Sequence, residues 1–216
     1  MIESKLLEDI IRLNKMYFSR KGKLIFNHIH KTGGNSLIEI FSIVFDDFCK
    51  IPFIESDHCD LNTLIQKFYI EDINLDKYKI FTVLRNPLDH VVSIYHYWNQ
   101  TNKKDPKSKL PWVKSAIDNS FDDFVLLTIN KSSFKGYEEN LKFQGILPYN
   151  NYISRLENIE IDLPNFLLEN YNYILKVKIP VLNKSKHKYF KYYIKDNLEK
   201  IIKDKYKLVY DIGFYS

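Results

Sequence analysis

At 216 residues, 45% hydrophobic and 27% charged, the chain has the length and composition of one generous folded domain with a sizeable core, which excludes a disordered or fibrous class. A formal net charge of +5 with a pI near 8.9 suits an anionic ligand without requiring a nucleic acid partner. Cys49 and Cys59 are too few for a disulfide framework, and with His58 they make a poor zinc pattern, so both read as core thiols and no metal is expected.

The opening MIESKLLEDIIRLNKMYF lacks the order of a signal peptide. No window approaches the roughly 18 apolar residues of a membrane span, so a cytoplasmic, reducing setting is the default expectation. Leu6, Ile10, Leu13 and Tyr17 recur at helical spacing and predict an N-terminal helix within residues 1–20. RKGK reads as a turn, and LIFNHI as a buried strand of the parallel kind. Leu37, Ile40, Phe41, Val44 and Phe45 then form a helical stripe, with Asn35 or Ser36 as the N-cap. KIPFIES reads as a second strand and LNTLIQKFY as a short helix.

KIFTVL is a third strand, running directly into RNPLDHVVSIYHYW. There Asn86 caps a helix, Pro87 takes its first position, and Leu88, Val91, Val92, Tyr95 and Trp98 make its buried stripe. NQTNKKDPKSKLP is polar, carries two prolines and reads as a loop. Residues 111–145 read as irregularly helical, NIEIDLPNFLLEN as a turn and helix, and YNYILKVKIP as a last strand. Asp196 with Glu199 three residues on has the form of a capping box, with Leu198, Ile201 and Ile202 inward. Strands alternating with helices predict an α/β fold with a central parallel sheet flanked by helices, in a single domain spanning residues 1–216.

The stretch KLIFNHIHKTGG places two glycines between a strand and a helix start. Backbone N–H groups at a helix N-terminus lack intrahelical partners and carry partial positive charge, and glycine lets an anion approach closely. Lys31 adds a full charge, and Thr32 and Ser36 add hydroxyls, so the stretch suits a phosphate or sulfate group; read alone, TGGN is equally a plain strand-to-helix turn. It is not the nucleotide-binding G-x-x-x-x-G-K-[ST] loop, because lysine and threonine here precede the glycines. At the second junction Arg85 closes a strand and Ser93 lies two helical turns beyond Asn86, a pair able to bind a second anion.

IFNHIHKTGGNSL resembles the 5′-phosphosulfate loop of the sulfotransferases that modify glycans, and FTVLRNPLDHVVSIYHYW resembles their 3′-phosphate motif. NYISRLENIE, LNKSKHKYFKYY and KYKLVYDIGFY are similar to later segments of the same family in the same order. The resemblance is to compact bacterial members of sulfotransferase family 2. It implies a P-loop-NTPase-like sheet, 3′-phosphoadenosine 5′-phosphosulfate (PAPS) as donor, a hydroxylated acceptor such as a glycan, and no metal. It implies that Lys31 steadies the leaving group and that Thr32, Gly33, Gly34, Asn35 and Ser36 hold the 5′-phosphate. Arg85 and Ser93 would hold the 3′-phosphate, with Asn183, Lys184 and Ser185 also on the donor.

The base that takes the acceptor's proton is His58 or His28: His58 resembles the family histidine before the 3′-phosphate motif, and His28 lies three residues before Lys31. His30 stands where relatives often carry proline. His90 and His96 read as structural or acceptor-facing, Glu157 and Arg155 as a stabilising pair, and residues 101–150 as the variable acceptor side with a lysine-rich loop. Two rivals remain open from the residues: a small-molecule or nucleotide kinase of similar topology, and a non-catalytic nucleotide-binding relative.

Overall fold

The computed structural model describes residues 15–51, 68–104, 111–129, 151–182 and 187–216. Its strands are β1 (Lys15–Ser19), β2 (Leu24–His28), β3 (Cys49–Lys50), β4 (Lys79–Leu84) and β5 (Asn151–Arg155). Its helices are α1 (Gly34–Val44), α2 (Pro87–Lys104), α3 (Pro111–Asp118), α4 (Phe121–Thr128), α5 (Ile159–Tyr171), α6 (Asp196–Lys205) and α7 (Lys207–Asp211). The chain divides into two compact units, residues 1–84 with 139–183 and residues 85–138 with 184–216.

The first unit is organised by a five-stranded sheet in the order β3-β1-β2-β4-β5. Strands β2, β4 and β5 run parallel, with Asn27 beside Thr82 and Leu84 beside Arg155. Strand β1 joins antiparallel to β2 and to β3, so the sheet is parallel at its centre and antiparallel at one edge. All five residues of β2 are buried, as a strand covered on both faces requires. Leu24 and Phe26 of β2 and Phe81 and Val83 of β4 pack with Leu37, Ile40 and Phe41 of α1 and Leu163, Phe166 and Leu167 of α5. The intervening residues Ile25 and Ile80 join Phe18, Ile51, Phe68 and Tyr78 in a second cluster, on the opposite face by the two-residue period of a strand. Phe81 is fully buried, with the rings of Phe166 and Phe41 centred 4.6 and 5.5 Å away. Truncating such a side chain to alanine costs about 3–5 kcal/mol.

The second unit is helical. Asn86 caps α2, its side-chain oxygen accepting from the N–H groups of Leu88 (3.0 Å) and Asp89 (3.4 Å), and Pro87 occupies the first helical position, where its missing N–H costs nothing. Val91, Val92, Ile94 and Trp98 of α2 are buried, and Tyr95 and Trp98 meet Phe124 of α4 at 5.2 and 5.7 Å between ring centres. On α6, Leu198 and Ile202 are buried as their spacing predicts. His90 of α2 hydrogen-bonds the hydroxyl of Tyr206, between α6 and α7, at 2.9 Å and so ties α2 to the C-terminal helices.

Several expectations are corrected. Residues 15–19 are a strand and not the end of an N-terminal helix; Phe18 and Tyr17 serve opposite clusters, a period of two that a helical reading of Tyr17 overlooks. Residues 1–14 lie outside the described residues. Two expectations fall largely outside the described residues: of KIPFIES only Lys50, in a strand, and Ile51, just past it, are described, and of LNTLIQKFY only Phe68 and Tyr69, in a helical turn. Cys49 is exposed on the edge strand rather than a core thiol. The residues NQTNKK, expected in a loop, complete α2. The last strand is β5, in NYISRLENIE, whereas residues 172–182 form no strand. At α6 the N-cap is Lys195 and not Asp196, and the Lys195 side chain makes no capping bond.

Candidate functional site

Strands β2 and β4 are parallel neighbours, so the chain leaves both of them at the same edge of the sheet. Ligand loops of open α/β sheets sit at such carboxyl ends. The loop after β2 runs from Ile29 to Gly33 and enters α1 at Gly34. Two of its residues hold left-handed backbone: Lys31 at φ 65° and Gly33 at φ 80°. Between them Thr32 is buried, and its hydroxyl donates to the carbonyl of Ile29 at 2.8 Å, closing the loop on itself.

Gly33, not Asn35 or Ser36, is the N-cap of α1, and no side chain caps this end. The first turn carries no acidic residue. The Ser36 N–H bonds the Gly33 carbonyl at 3.0 Å, while the N–H groups of Gly34 and Asn35 lie where a helix has no acceptor of its own. Uncapped donors at the positive end of an 11-residue helix, with no carboxylate in its first turn, favour an anion. Ser36 is buried, and its Oγ accepts from the N–H of Leu182 at 3.1 Å, which leaves its own proton to donate elsewhere.

The two adjacent glycines have different causes. Gly33 needs its positive φ, and a Cβ on it would stand 2.8 Å from Cδ1 of Leu156. Gly34 has ordinary backbone, but a Cβ there would overlap the imidazole of His28. That ring is stacked on Phe26, 5.8 Å between centres and 11° from parallel, and His28 is 9% exposed.

Arg85, the first residue past β4, directs Nε and one terminal nitrogen at Oδ2 of Asp89, each at 2.7 Å. The Arg85 side chain is 14% exposed, so Asp89 holds the guanidinium in a largely desolvated place. Ser93 is fully buried in α2. Elsewhere, His96 stacks on His187 with 5.4 Å between ring centres and meets Tyr193 edge-on. Burial and the neighbouring His187 hold the His96 pKa below the ordinary histidine value. Glu157 is exposed. His58, Asn183, Lys184 and Ser185 lie outside the described residues.

Lys31, Thr32, Gly33, Gly34, Asn35, Ser36 and His28 are thus gathered on one strand–loop–helix element of the first unit, and Arg85 and Ser93 belong to the first helical segment of the second. Sequence reasoning passes over Asp89, Leu156 and Asp162, the last accepting from the buried Ser154 hydroxyl at 2.8 Å. Of these only Asp89 carries a sequence signal, an acid four residues after an arginine in a helical pattern. Among the described residues, no cluster of three or more His, Cys, Asp or Glu is arranged to hold a metal, and no helix is long and apolar enough to cross a membrane.

No curated protein matches the chain. Among protein families, residues 14–208 match the sulfotransferase family, family 2, over nearly the whole sequence and through both junctions just described. The chain belongs to the sulfotransferase family.

Proposed function

We propose that this sulfotransferase takes its sulfuryl group from PAPS and transfers it to a hydroxyl of a carbohydrate acceptor. The observation that carries the reading is the uncapped, acid-free start of α1, reached through a loop in which Lys31 and Gly33 both adopt left-handed backbone. In the proposal the N–H groups of residues 32–35 and the Ser36 hydroxyl hold the 5′-phosphate. Thr32 contributes through its N–H, since its hydroxyl is committed to Ile29. Arg85, steadied by Asp89, and Ser93 take the 3′-phosphate, with Asn183, Lys184 and Ser185 also on the donor.

Sulfuryl transfer resembles phosphoryl transfer, so positioning and charge stabilisation do most of the work. A histidine, His58 or His28, removes the acceptor's proton as its oxygen attacks sulfur in line. The new S–O bond forms as the bond from sulfur to the bridging phosphate oxygen breaks. Adenosine 3′,5′-bisphosphate departs, and Lys31 offsets the charge that grows on the bridging oxygen. Membership of the family sets aside the kinase alternative.

Two measurements test the proposal. Adenosine 3′,5′-bisphosphate is expected to raise the melting temperature where ATP does not; equal effects of the two would refute PAPS as donor. Radiolabelled sulfate from PAPS is expected on at least one member of a glycan panel. Transfer only to small non-sugar hydroxyl compounds would refute the carbohydrate assignment while keeping the donor.

A further inference from the structure

We infer that His28 is a positioning residue for the donor loop and not the base, a wedge whose imidazole fixes where α1 begins. This rests on the donor reading above. The ring lies on Phe26 and fills the space that a side chain at residue 34 would need, so the first helical residue sits directly against it. The loop is then fixed along its length by three contacts. Thr32 is tied to the Ile29 carbonyl, Leu156 presses on Gly33, and His28 presses on Gly34.

The same contacts argue against proton abstraction by this ring. A general base needs a ring nitrogen within about 3 Å of the proton it removes. Nδ1 of His28 is shut off from solvent, and Cδ2 and Nε2 are the edge that faces Gly34. Nδ1 is thereby closed to an acceptor hydroxyl, and Nε2 is turned to the start of α1, where the donor reading places the phosphate and not the acceptor. Moving the ring would also remove the support under the Gly34 and Asn35 N–H groups that the donor reading uses. The base then falls to His58.

The test exploits the fit between the two positions. Gly34→Ala drives a methyl into the ring and is expected to shrink the stabilisation by adenosine 3′,5′-bisphosphate and to lower kcat/KM about 100-fold, the scale of a small misplacement of bound groups. His28→Ala/Gly34→Ala removes the ring and puts the methyl in the vacated space. It is expected to regain much of the nucleotide stabilisation and turnover lost in Gly34→Ala, a favourable coupling between neighbours. His28→Phe, which keeps a ring stacked on Phe26, is expected to keep the limb of the pH–kcat profile that reports the base.

The inference is overturned if His28→Phe and the double variant bind the nucleotide normally yet lose turnover by 100-fold or more together with that limb, the signature of a lost base. It is also overturned if Gly34→Ala and the double variant melt at the same temperature without ligand. Should Gly34→Ala fail to fold, the double variant, which lacks the ring that the methyl strikes, carries the test with His28→Phe. Failure of the donor reading looks different: the wild-type protein would show no stabilisation by adenosine 3′,5′-bisphosphate, while the coupling between residues 28 and 34 would persist in the ligand-free melting temperatures.

Discussion

Replacing Lys31 by alanine and, separately, by glycine distinguishes what its side chain does from what its backbone costs. Lys31 holds φ 65°, a left-handed conformation that costs a residue with a Cβ roughly 1–2 kcal/mol. Alanine keeps that strain and loses the charge. Glycine loses the same charge and whatever other contacts the side chain makes, but relieves the strain. Against the relief stands the greater freedom of glycine in the unfolded chain, about 0.4–1 kcal/mol. The net difference is about 0.5–1 kcal/mol in favour of Lys31→Gly, or a melting temperature some 1–4 °C above Lys31→Ala for a chain of this size. Differential scanning fluorimetry of the pair reads that gap, and sulfate transfer reads the chemistry. Both variants are expected to lose about 100-fold or more in kcat, the scale of removing one group that stabilises developing charge. A Lys31→Ala protein that is as stable as Lys31→Gly would refute the strained backbone. Retained turnover in either would refute Lys31 as the stabiliser of the leaving group.

Three further outcomes are expected. Thr82 is fully buried in β4 and its hydroxyl has no hydrogen-bond partner among the described residues, so Thr82→Val should stabilise the protein by about 1–2 kcal/mol; a lower melting temperature would show that an ordered water satisfies the hydroxyl. Asp89→Asn should lower the ligand-free melting temperature and enlarge the rise produced by adenosine 3′,5′-bisphosphate, because the phosphate then supplies the negative charge that Asp89 now places on Arg85; a smaller rise would mean that Asp89 chiefly orients the guanidinium. The pKa of His96 is lowered in the folded state, so the unfolded chain binds the proton first as pH falls through its ordinary value of 6.5. Stability from this site is therefore complete above that pH and lost below it, and His96→Phe should flatten the fall of melting temperature with acidity; an unchanged slope would assign the pH dependence elsewhere.

Features carried by local chemistry were legible in the sequence. The continuous apolar run KIFTVL became β4 at those residues, and Asn86-Pro87 started a helix because one side chain supplies the cap and the next residue needs no partner for its N–H. The RKGK turn and the inward stripe of α6 followed in the same way. Features carried by distant packing were not legible. Strand β5 is five residues without a strong alternating pattern, and what makes it a strand is its pairing with β4, some 70 residues earlier in the chain. The apolar residues of YNYILKVKIP resemble a strand locally, yet Ile174, Val177 and Val181 are exposed and the segment pairs with nothing in the sheet.

The loop after β2 shows where that boundary falls within a single motif. Its composition suits an anion, because lysine, hydroxyls and glycines stand together at a helix start, yet TGGN alone is equally a plain strand-to-helix turn. Composition does not say which residue caps the helix, and the hydroxyl and amide side chains of Ser36 and Asn35 mislead, since a left-handed Gly33 takes the position instead. Nor does it say why the second glycine is there. Gly34 has unremarkable backbone, so conformational freedom does not account for it; the cause is the aromatic ring of a residue six places earlier, brought back over the helix start by the turn of the loop. A glycine demanded by φ is a local fact, whereas a glycine demanded by a neighbouring ring is a tertiary one. Sequence reading credits both to the ligand, and only the packing of His28 on Phe26 separates the residue that must bend from the residue that must make room.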